Sequence, residues 1–401
     1  MYLTIVPTVG WVTVLERPAF PGLRPGSREL RRLHAAMIAA GVAAFAMLYS
    51  TQASLPAIGA TFGVGATAAS LTVSVTTGAL ALTVLPASGL AERLGRVRAM
   101  GLGLGVAAVT VALAAAAPNL PVLLLVRGVT GLALAAVVAV AMGHIGDEVE
   151  PSASAPAVGL YVSATTIGGL AGRLIPAGVD AHGGWRVALL AVAALGALCT
   201  AVFVRTVPAA RAEPRATGGV GTVLRDPTLV RICLVGLLLM GGFVGTYNYL
   251  TFRLGRAPFD LSAGEVGTVF LAYLAGTASS AVAGRCVARV GRRTVLLVSI
   301  TVALGGLALT LPTDLGCVLA GLLVFTAGFF GAHAVASGWA AAHVPGHRGQ
   351  ASALYLTAYY LGSSLGGTLV GLAWTDGGWP ATVAAVAGAY LVAGALMTRR
   401  R

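Results

Sequence analysis

From Ala35 to the end of the chain, apolar runs of about twenty residues alternate with short polar interruptions. A helix needs about 20 residues to cross a hydrocarbon core ~30 Å thick. Runs near 35–56, 68–91, 99–117, 121–143, 157–179 and 185–205 meet that length, as do runs near 229–252, 265–284, 294–312, 316–342, 351–374 and 380–397. The pattern predicts an all-α polytopic membrane protein with twelve transmembrane helices. Spanning strands are excluded, because the runs are rich in Ala, Leu, Gly and Val and lack the alternation of a closed barrel. Residues 207–227, with Pro208, Pro214, Gly218, Gly219 and Gly221, read as a flexible cytoplasmic linker between two halves. The expected organisation is a cytoplasmic tail over 1–33, a six-helix bundle over 34–206, that linker, and a second bundle over 228–401.

Composition narrows the function. Hydrophobic residues make up 57% of the chain and charged residues 10%, against roughly a quarter charged in soluble domains, which excludes a soluble enzyme. All 26 basic residues are arginine; without lysine there is no Walker A phosphate loop and no lysine Schiff base. The four cysteines are scattered and have no metal-ligand spacing, so no metal site is expected. The apolar start, Met1–Leu15, has no preceding basic residue and no cleavage site, and reads as tail, not as a secretory signal. With both termini placed in the cytoplasm, twenty-one arginines fall on that side and only Arg186, Arg253 and Arg256 on the other. This asymmetry predicts orientation and an even helix count. The net charge of +13 is then topological and needs no nucleic acid.

The halves repeat one another. Gly183-Gly184-Trp185 recurs as Gly377-Gly378-Trp379, and Tyr161, Gly168 and Gly172 recur as Tyr355, Gly362 and Gly366 at the same offset of 194. Arg93-Leu94-Gly95-Arg96 matches Arg289-Val290-Gly291-Arg292. Duplicated bundles point to a transporter with its site between the halves near the bilayer midplane. Gly168, Gly172, Gly362 and Gly366 lie at helical spacing on one face each and read as packing seams.

The stretch Ser88-Gly-Leu-Ala-Glu92-Arg93-Leu-Gly95-Arg96-Val-Arg98 and its copy Gly284-Arg-Cys-Val-Ala288-Arg289-Val-Gly291-Arg292-Arg293 resemble the signature between helices two and three of the major facilitator superfamily (MFS). Here Ser88 stands for the first Gly and Glu92 for Asp, and Ala288 replaces the acid in the copy. The resemblance covers the chain after residue 34 and implies two pseudo-symmetric six-helix bundles. It also implies a cytoplasmic gating role for Glu92, Arg93, Gly95, Arg96, Arg289, Gly291 and Arg292. Chemically, Gly95 permits a tight turn, while Glu92 can cap a helix or pair with an arginine of the facing half. Arg127-Gly-Val-Thr130-Gly131 is similar to the family's Arg-x-x-Gln-Gly element, which implies a part for Arg127 in proton coupling. Ala164-Thr165-Thr166-Ile167-Gly168-Gly169 is similar to the antiporter element but lacks its Gly-Pro start. The overall resemblance is to the drug and metabolite efflux branch.

Two arginines, Arg127 and Arg173, fall inside the membrane, each roughly 9 Å from the outer end of its helix at ~1.5 Å per residue. A charge there must pair, snorkel or face a wet cavity; Arg127 reads as functional, and for Arg173 snorkelling is the competing reading. No Asp or Glu lies mid-membrane, so the pair favours an anionic group on the substrate. Further polar candidates are Tyr49 and Gln52 in the first span, Tyr247 and Asn248 in the seventh, Tyr273 in the eighth, His333 in the tenth and Tyr359 in the eleventh. They could hold a mostly apolar ligand, and equally hydrogen-bond between helices. His333 is the mid-membrane group that titrates near neutrality.

The expected function is secondary active transport of a small organic molecule by alternating access, as efflux by proton antiport. The runner-up is an uptake or facilitated-diffusion permease for a small organic anion. No cofactor beyond a proton or other ion gradient is expected, and the expected partners are the lipid bilayer and the substrate. The predicted form is a monomer in the cell (inner) membrane with both termini cytoplasmic. A distant alternative is an intramembrane enzyme using His333 and Ser337, which are four residues apart on one helix face.

Overall fold

A computed structural model describes residues 20–211, 223–344 and 346–398. The expected features at residues 1–19, most of the linker (212–222) and Arg399–Arg401 lie outside the described residues. The helices are α1 (Arg28–Leu48), α2 (Leu55–Phe62), α3 (Ala66–Leu94), α4 (Arg96–Ala115), α5 (Leu120–Glu148) and α6 (Pro151–Thr206) in the first half. The second half has α7 (Pro227–Leu254), α8 (Ala263–Thr268), α9 (Tyr273–Val290), α10 (Arg292–Leu309), α11 (Leu315–His343) and α12 (Arg348–Thr398). Among the described residues, eleven helices are long and apolar enough to cross a membrane, counting α12 once. Both α6 and α12 are two spans joined across a break, at Gly184 (φ 76°) and at Gly377–Gly378 (φ −145° and 61°). Twelve spans result, as the hydrophobic runs predict.

Helix starts follow side-chain chemistry. Ser27, Asn119, Asp226 and Asp314 each accept a backbone N–H of the first turn through a side-chain oxygen, replacing partners the helix cannot supply itself. Gly95 and Gly291, at φ 87° and 83°, form the one-residue turns from α3 to α4 and from α9 to α10; a side chain at either would be strained.

α1 packs along α6, and α7 along α12. A Cβ on Gly168 or Gly172 would run into the backbone of Val42 and Ala46, and one on Gly362 or Gly366 into that of Leu237 and Gly241. The backbones therefore touch directly, as small residues allow when dispersion drives packing in lipid. Large apolar side chains such as Leu82, Leu125, Leu198, Leu369 and Leu391 stay exposed, which suits a surface solvated by acyl chains. The halves meet chiefly where α3 lies on α12 and where the first arm of α6 meets α8.

Two expectations need correction. The first bundle does not begin at residue 34: α1 starts at Arg28 behind its Ser27 cap, so Arg28, Arg31 and Arg32 are helical. Before it, Leu23 bonds to the α5–α6 connection, donating to the Glu148 carbonyl at 2.7 Å and accepting from Glu150 N–H at 3.2 Å. Nor is the first span one helix over 35–56. It is interrupted over 49–54, between α1 and α2, so Tyr49 and Gln52 lie in a break, not in a helix. Because the spans alternate, residue 398 returns to the end of the bundle where α1 begins, here termed the tail end.

Candidate functional site

The break in the first span has a local and a tertiary cause. Ser50, Thr51 and Ser54 carry short polar side chains of the kind that compete with helical hydrogen bonding, Ser50 Oγ donating to Met47 O at 3.0 Å, and Pro56 favours restarting at α2. The freed carbonyls are then claimed by Arg127. Its Nη1 donates to Met47 O at 3.0 Å and Ser50 Oγ at 3.1 Å, its Nη2 to Leu48 O at 2.6 Å and its Nε to Thr72 O at 3.2 Å. The side chain is 0% exposed. The guanidinium thus caps the C-terminal end of α1, where the helix dipole favours a cation, and it holds α5, α1 and α3 together.

Arg173, in the first arm of α6, is 2% exposed, so it does not snorkel to the surface. Its Nε donates to Gln52 Oε1 at 2.6 Å and its Nη1 to the Gly169 carbonyl. The guanidinium carbon lies 4.1 Å from the Tyr49 ring centre, 4.7 Å from that of Tyr273 and 5.5 Å from that of Phe270, an arrangement in which ring faces stabilise a cation. Gln52 Nε2 in turn donates to Asn248 Oδ1 of α7 at 2.7 Å. Tyr49, Gln52, Arg173 and Asn248 are therefore brought together, and their chain of bonds crosses from one half to the other. Among the described residues, neither buried arginine has a carboxylate within 4.0 Å.

Next to this chain, away from the tail end, Ser70 Oγ lies 3.0 Å from Tyr249 OH and donates to Gly367 O at 3.2 Å. Thr67 Oγ1 donates to Gly371 O at 2.9 Å and lies 3.0 Å from Thr375 Oγ1. These seam residues did not stand out in the sequence, although Thr67, Ser70 and Ser74 share one helical face and Gly367 and Gly371 another.

The remaining candidates form a second cluster within the C-terminal half. Tyr247 OH lies 2.7 Å from Thr326 Oγ1, and its ring contacts Phe243, Phe270 and Tyr273. His333 Nδ1 lies 2.9 Å from Tyr355 OH, and its ring centre is 4.5 Å from that of Tyr359. Ser337 donates to its own helix at Ala334 O, not to His333, so the pair does not form a nucleophile and base.

At the tail end, Arg96 donates to Glu92 Oε1 from Nε (2.9 Å) and Nη2 (2.7 Å), and from Nη1 to Asp147 Oδ2 at 2.6 Å. Glu92 thus pairs within its own half, tying α3, α4 and α5, and not with an arginine of the facing half. Arg93, Arg289 and Arg292 are exposed; in the second copy Ala288 offers Arg292 no acid. Asp226 accepts from the Thr228 and Leu229 N–H groups and from His343 Nε2 at 3.2 Å. Partial burial alone would raise its carboxyl pKa, but the Leu229 N–H, the charge of His343 and the Thr228 N–H outweigh it and hold it below the ordinary aspartate value.

A family model described as Major Facilitator Superfamily matches residues 37–257 and 254–401. The Escherichia coli K12 inner membrane transport protein YnfM is 37% identical over 384 residues, covering 94% of this chain and 92% of its own. The Bacillus subtilis protein named as the uncharacterized MFS-type transporter YybF is 34% identical over 378 residues, covering 92% and 94%. Two solved structures share the fold at low identity. The nucleoside transporter NupG gives a TM-score of 0.71 at 17% identity, over 92% of this chain and all of its own. A bacterial homologue of the human lysosomal transporter Spinster, inward-facing and occupied, gives 0.70 at 18%, over 94% and 95%. Matches of this extent overturn the intramembrane-enzyme alternative: the chain belongs to the Major Facilitator Superfamily and is a multi-pass membrane transporter, not an enzyme.

Proposed function

We propose that this transporter exports a small organic molecule bearing an anionic group, by alternating access and in exchange for protons. In this reading it works as a monomer in the inner membrane, with its tail end in the cytoplasm. The positive-inside asymmetry of the arginines supports the orientation, and the name of the Escherichia coli relative supports the membrane. Arg173 carries the substrate reading: a buried cation at the meeting of the halves, ringed by Tyr49, Phe270 and Tyr273, with no carboxylate within 4.0 Å among the described residues. A charge held this deep costs several kcal/mol unless compensated, and an anionic substrate supplies the compensation. His333 serves as proton carrier in this scheme, with Tyr355 and Tyr359 against its ring. The ion set Glu92, Arg93, Arg96, Arg289 and Arg292 gates the tail end.

A second reading is facilitated uptake of an organic anion. It is favoured by the lack of any carboxylate within 4.0 Å of Arg127 or Arg173 among the described residues, since the anion itself then balances the charge without a proton. Proteoliposomes with an imposed pH gradient, loaded with a panel of anionic, neutral and cationic solutes, test both. Export of anions that accelerates with the gradient fits the first reading, and equilibration indifferent to it fits the second. A preference for lipophilic cations contradicts both.

A further inference from the structure

The Gln52 side chain sits in a place shaped for an anion. A guanidinium has only donors, so the bond from Arg173 Nε fixes the Gln52 amide with its oxygen toward the cation. The amide nitrogen must then face Asn248, whose side-chain oxygen accepts it. That acceptance turns Asn248 Nδ2 away from Gln52, and Nδ2 is buried without an acceptor among the described residues, on a residue that is 0% exposed. The hydroxyl of Tyr273, whose ring packs on the same guanidinium, is also buried and unpartnered. A buried donor left unpaired has lost its water without gaining a protein acceptor, which is unfavourable until an acceptor arrives. The surroundings of Gln52 therefore hold a cation from the first half and spare donors from the second, and a neutral amide is what fills the place between them.

A carboxylate has the planar outline of a primary amide but accepts at both ends. Building on the transport reading above, we propose that the Gln52 amide is a built-in stand-in for a substrate carboxylate. The substrate displaces the amide, takes the Arg173 guanidinium with one oxygen, and accepts Asn248 Nδ2 with the other once the Asn248 amide rotates. The site is two-sided, because Arg173 belongs to α6 and Asn248 to α7. The rings of Tyr49, Phe270 and Tyr273 beside the cation select a flat or aromatic body, so the substrate class is a small aromatic carboxylate.

Full-length protein in detergent, titrated with benzoate and with its neutral isostere benzamide, tests this by thermal shift. Wild type binds benzoate in preference to benzamide. Gln52→Ala removes the competitor and tightens benzoate binding roughly tenfold, on the scale of one hydrogen bond to a charged group. Gln52→Glu ties a carboxylate to Arg173, raises the melting temperature without ligand and weakens benzoate at least about tenfold. Asn248→Ala weakens benzoate and narrows its advantage over benzamide. If Gln52→Glu does not fold, the Gln52→Ala and Asn248→Ala titrations decide alone. Benzoate binding that Arg173→Ala abolishes but Gln52 substitutions leave unchanged overturns the stand-in and spares the transport reading. Failure of benzoate to bind wild type and every variant overturns the carboxylate site, while anion transport in proteoliposomes still judges the broader reading separately.

Discussion

In the first half, Gly168 and Gly172 of α6 rest on the α1 backbone at Val42 and Ala46; in the second, Gly362 and Gly366 of α12 rest on α7 at Leu237 and Gly241. The frame is the same in both halves. The charge is not. Arg127, Arg173 and the Glu92–Arg96–Asp147 set all belong to the first half. At the offset that relates the glycines, Arg173 corresponds to Gly367, whose carbonyl accepts from Ser70 and Tyr249. The second half instead gathers rings: Phe243 stacks on Phe329 at 3.8 Å, with Tyr247, Phe325 and Phe330 around them. Gln52 and Asn248, 196 residues apart, meet where the two patterns join. Duplication has kept the packing that lets two bundles form and let the chemistry diverge, so positions where the halves disagree are the ones to test.

The largest expected effect is on Arg127, the cation without a counterpart that caps α1. Arg127→Ala strips four hydrogen bonds and leaves the Met47, Leu48 and Thr72 carbonyls buried, costing about 3–5 kcal/mol. Thermal unfolding in detergent reads this, and a melting temperature within a degree or two of wild type contradicts the capping role. Next come the shared glycines. Gly172→Ala and Gly366→Ala each force a methyl into a neighbouring backbone and are expected to cost about 1–3 kcal/mol each. Similar losses support the equivalence of the halves, whereas a large loss in one alone breaks it.

Asp226 offers a smaller, pH-dependent test. Asp226→Ala removes the α7 cap and the His343 partner, for about 1 kcal/mol. Because the folded carboxyl is held below its ordinary value, its contribution is present above the unfolded value of about 4 and is lost as pH falls through the lower folded one. The stability gap between wild type and Asp226→Ala should shrink over that acidic window; a constant gap denies the linkage. The smallest effect sharpens the comparison directly. Ala288→Glu restores the acid four residues before Arg292 and should add about 0.2–0.5 kcal/mol, disappearing at high salt as a surface pair should.

Much of the frame was legible in the sequence because membrane helices obey length and apolarity, and because Gly183-Gly184-Trp185 and Gly377-Gly378-Trp379 punctuate both halves. The break at 49–54 was not legible. The polar residues between Tyr49 and Ser54 weaken a helix locally, but a short polar stretch inside a run long enough to span does not by itself show a break; what fixes the end of α1 is a set of bonds from Arg127, 77 to 80 residues away. For the same reason depth alone left Arg173 open between the surface and the interior: which way it turns depends on Gln52 and the rings of the other half. The sequence left Glu92 between capping a helix and meeting an arginine of the facing half; the Gly95 turn that brings Arg96 of its own half onto it is set by backbone geometry, which residue types do not show. Residue types were readable; the faces they share were set by packing.

In the proposed mechanism Arg173 meets the anionic group of the transported molecule while Arg127 holds the frame. The most direct measurement is the initial rate of benzoate flux into proteoliposomes for wild type, Arg173→Ala and Arg127→Lys, at matched reconstitution. Measurable flux is expected in wild type, with a fall to background for Arg173→Ala and flux within a few-fold of wild type for Arg127→Lys wherever that protein folds. Undiminished benzoate flux through Arg173→Ala contradicts that mechanism.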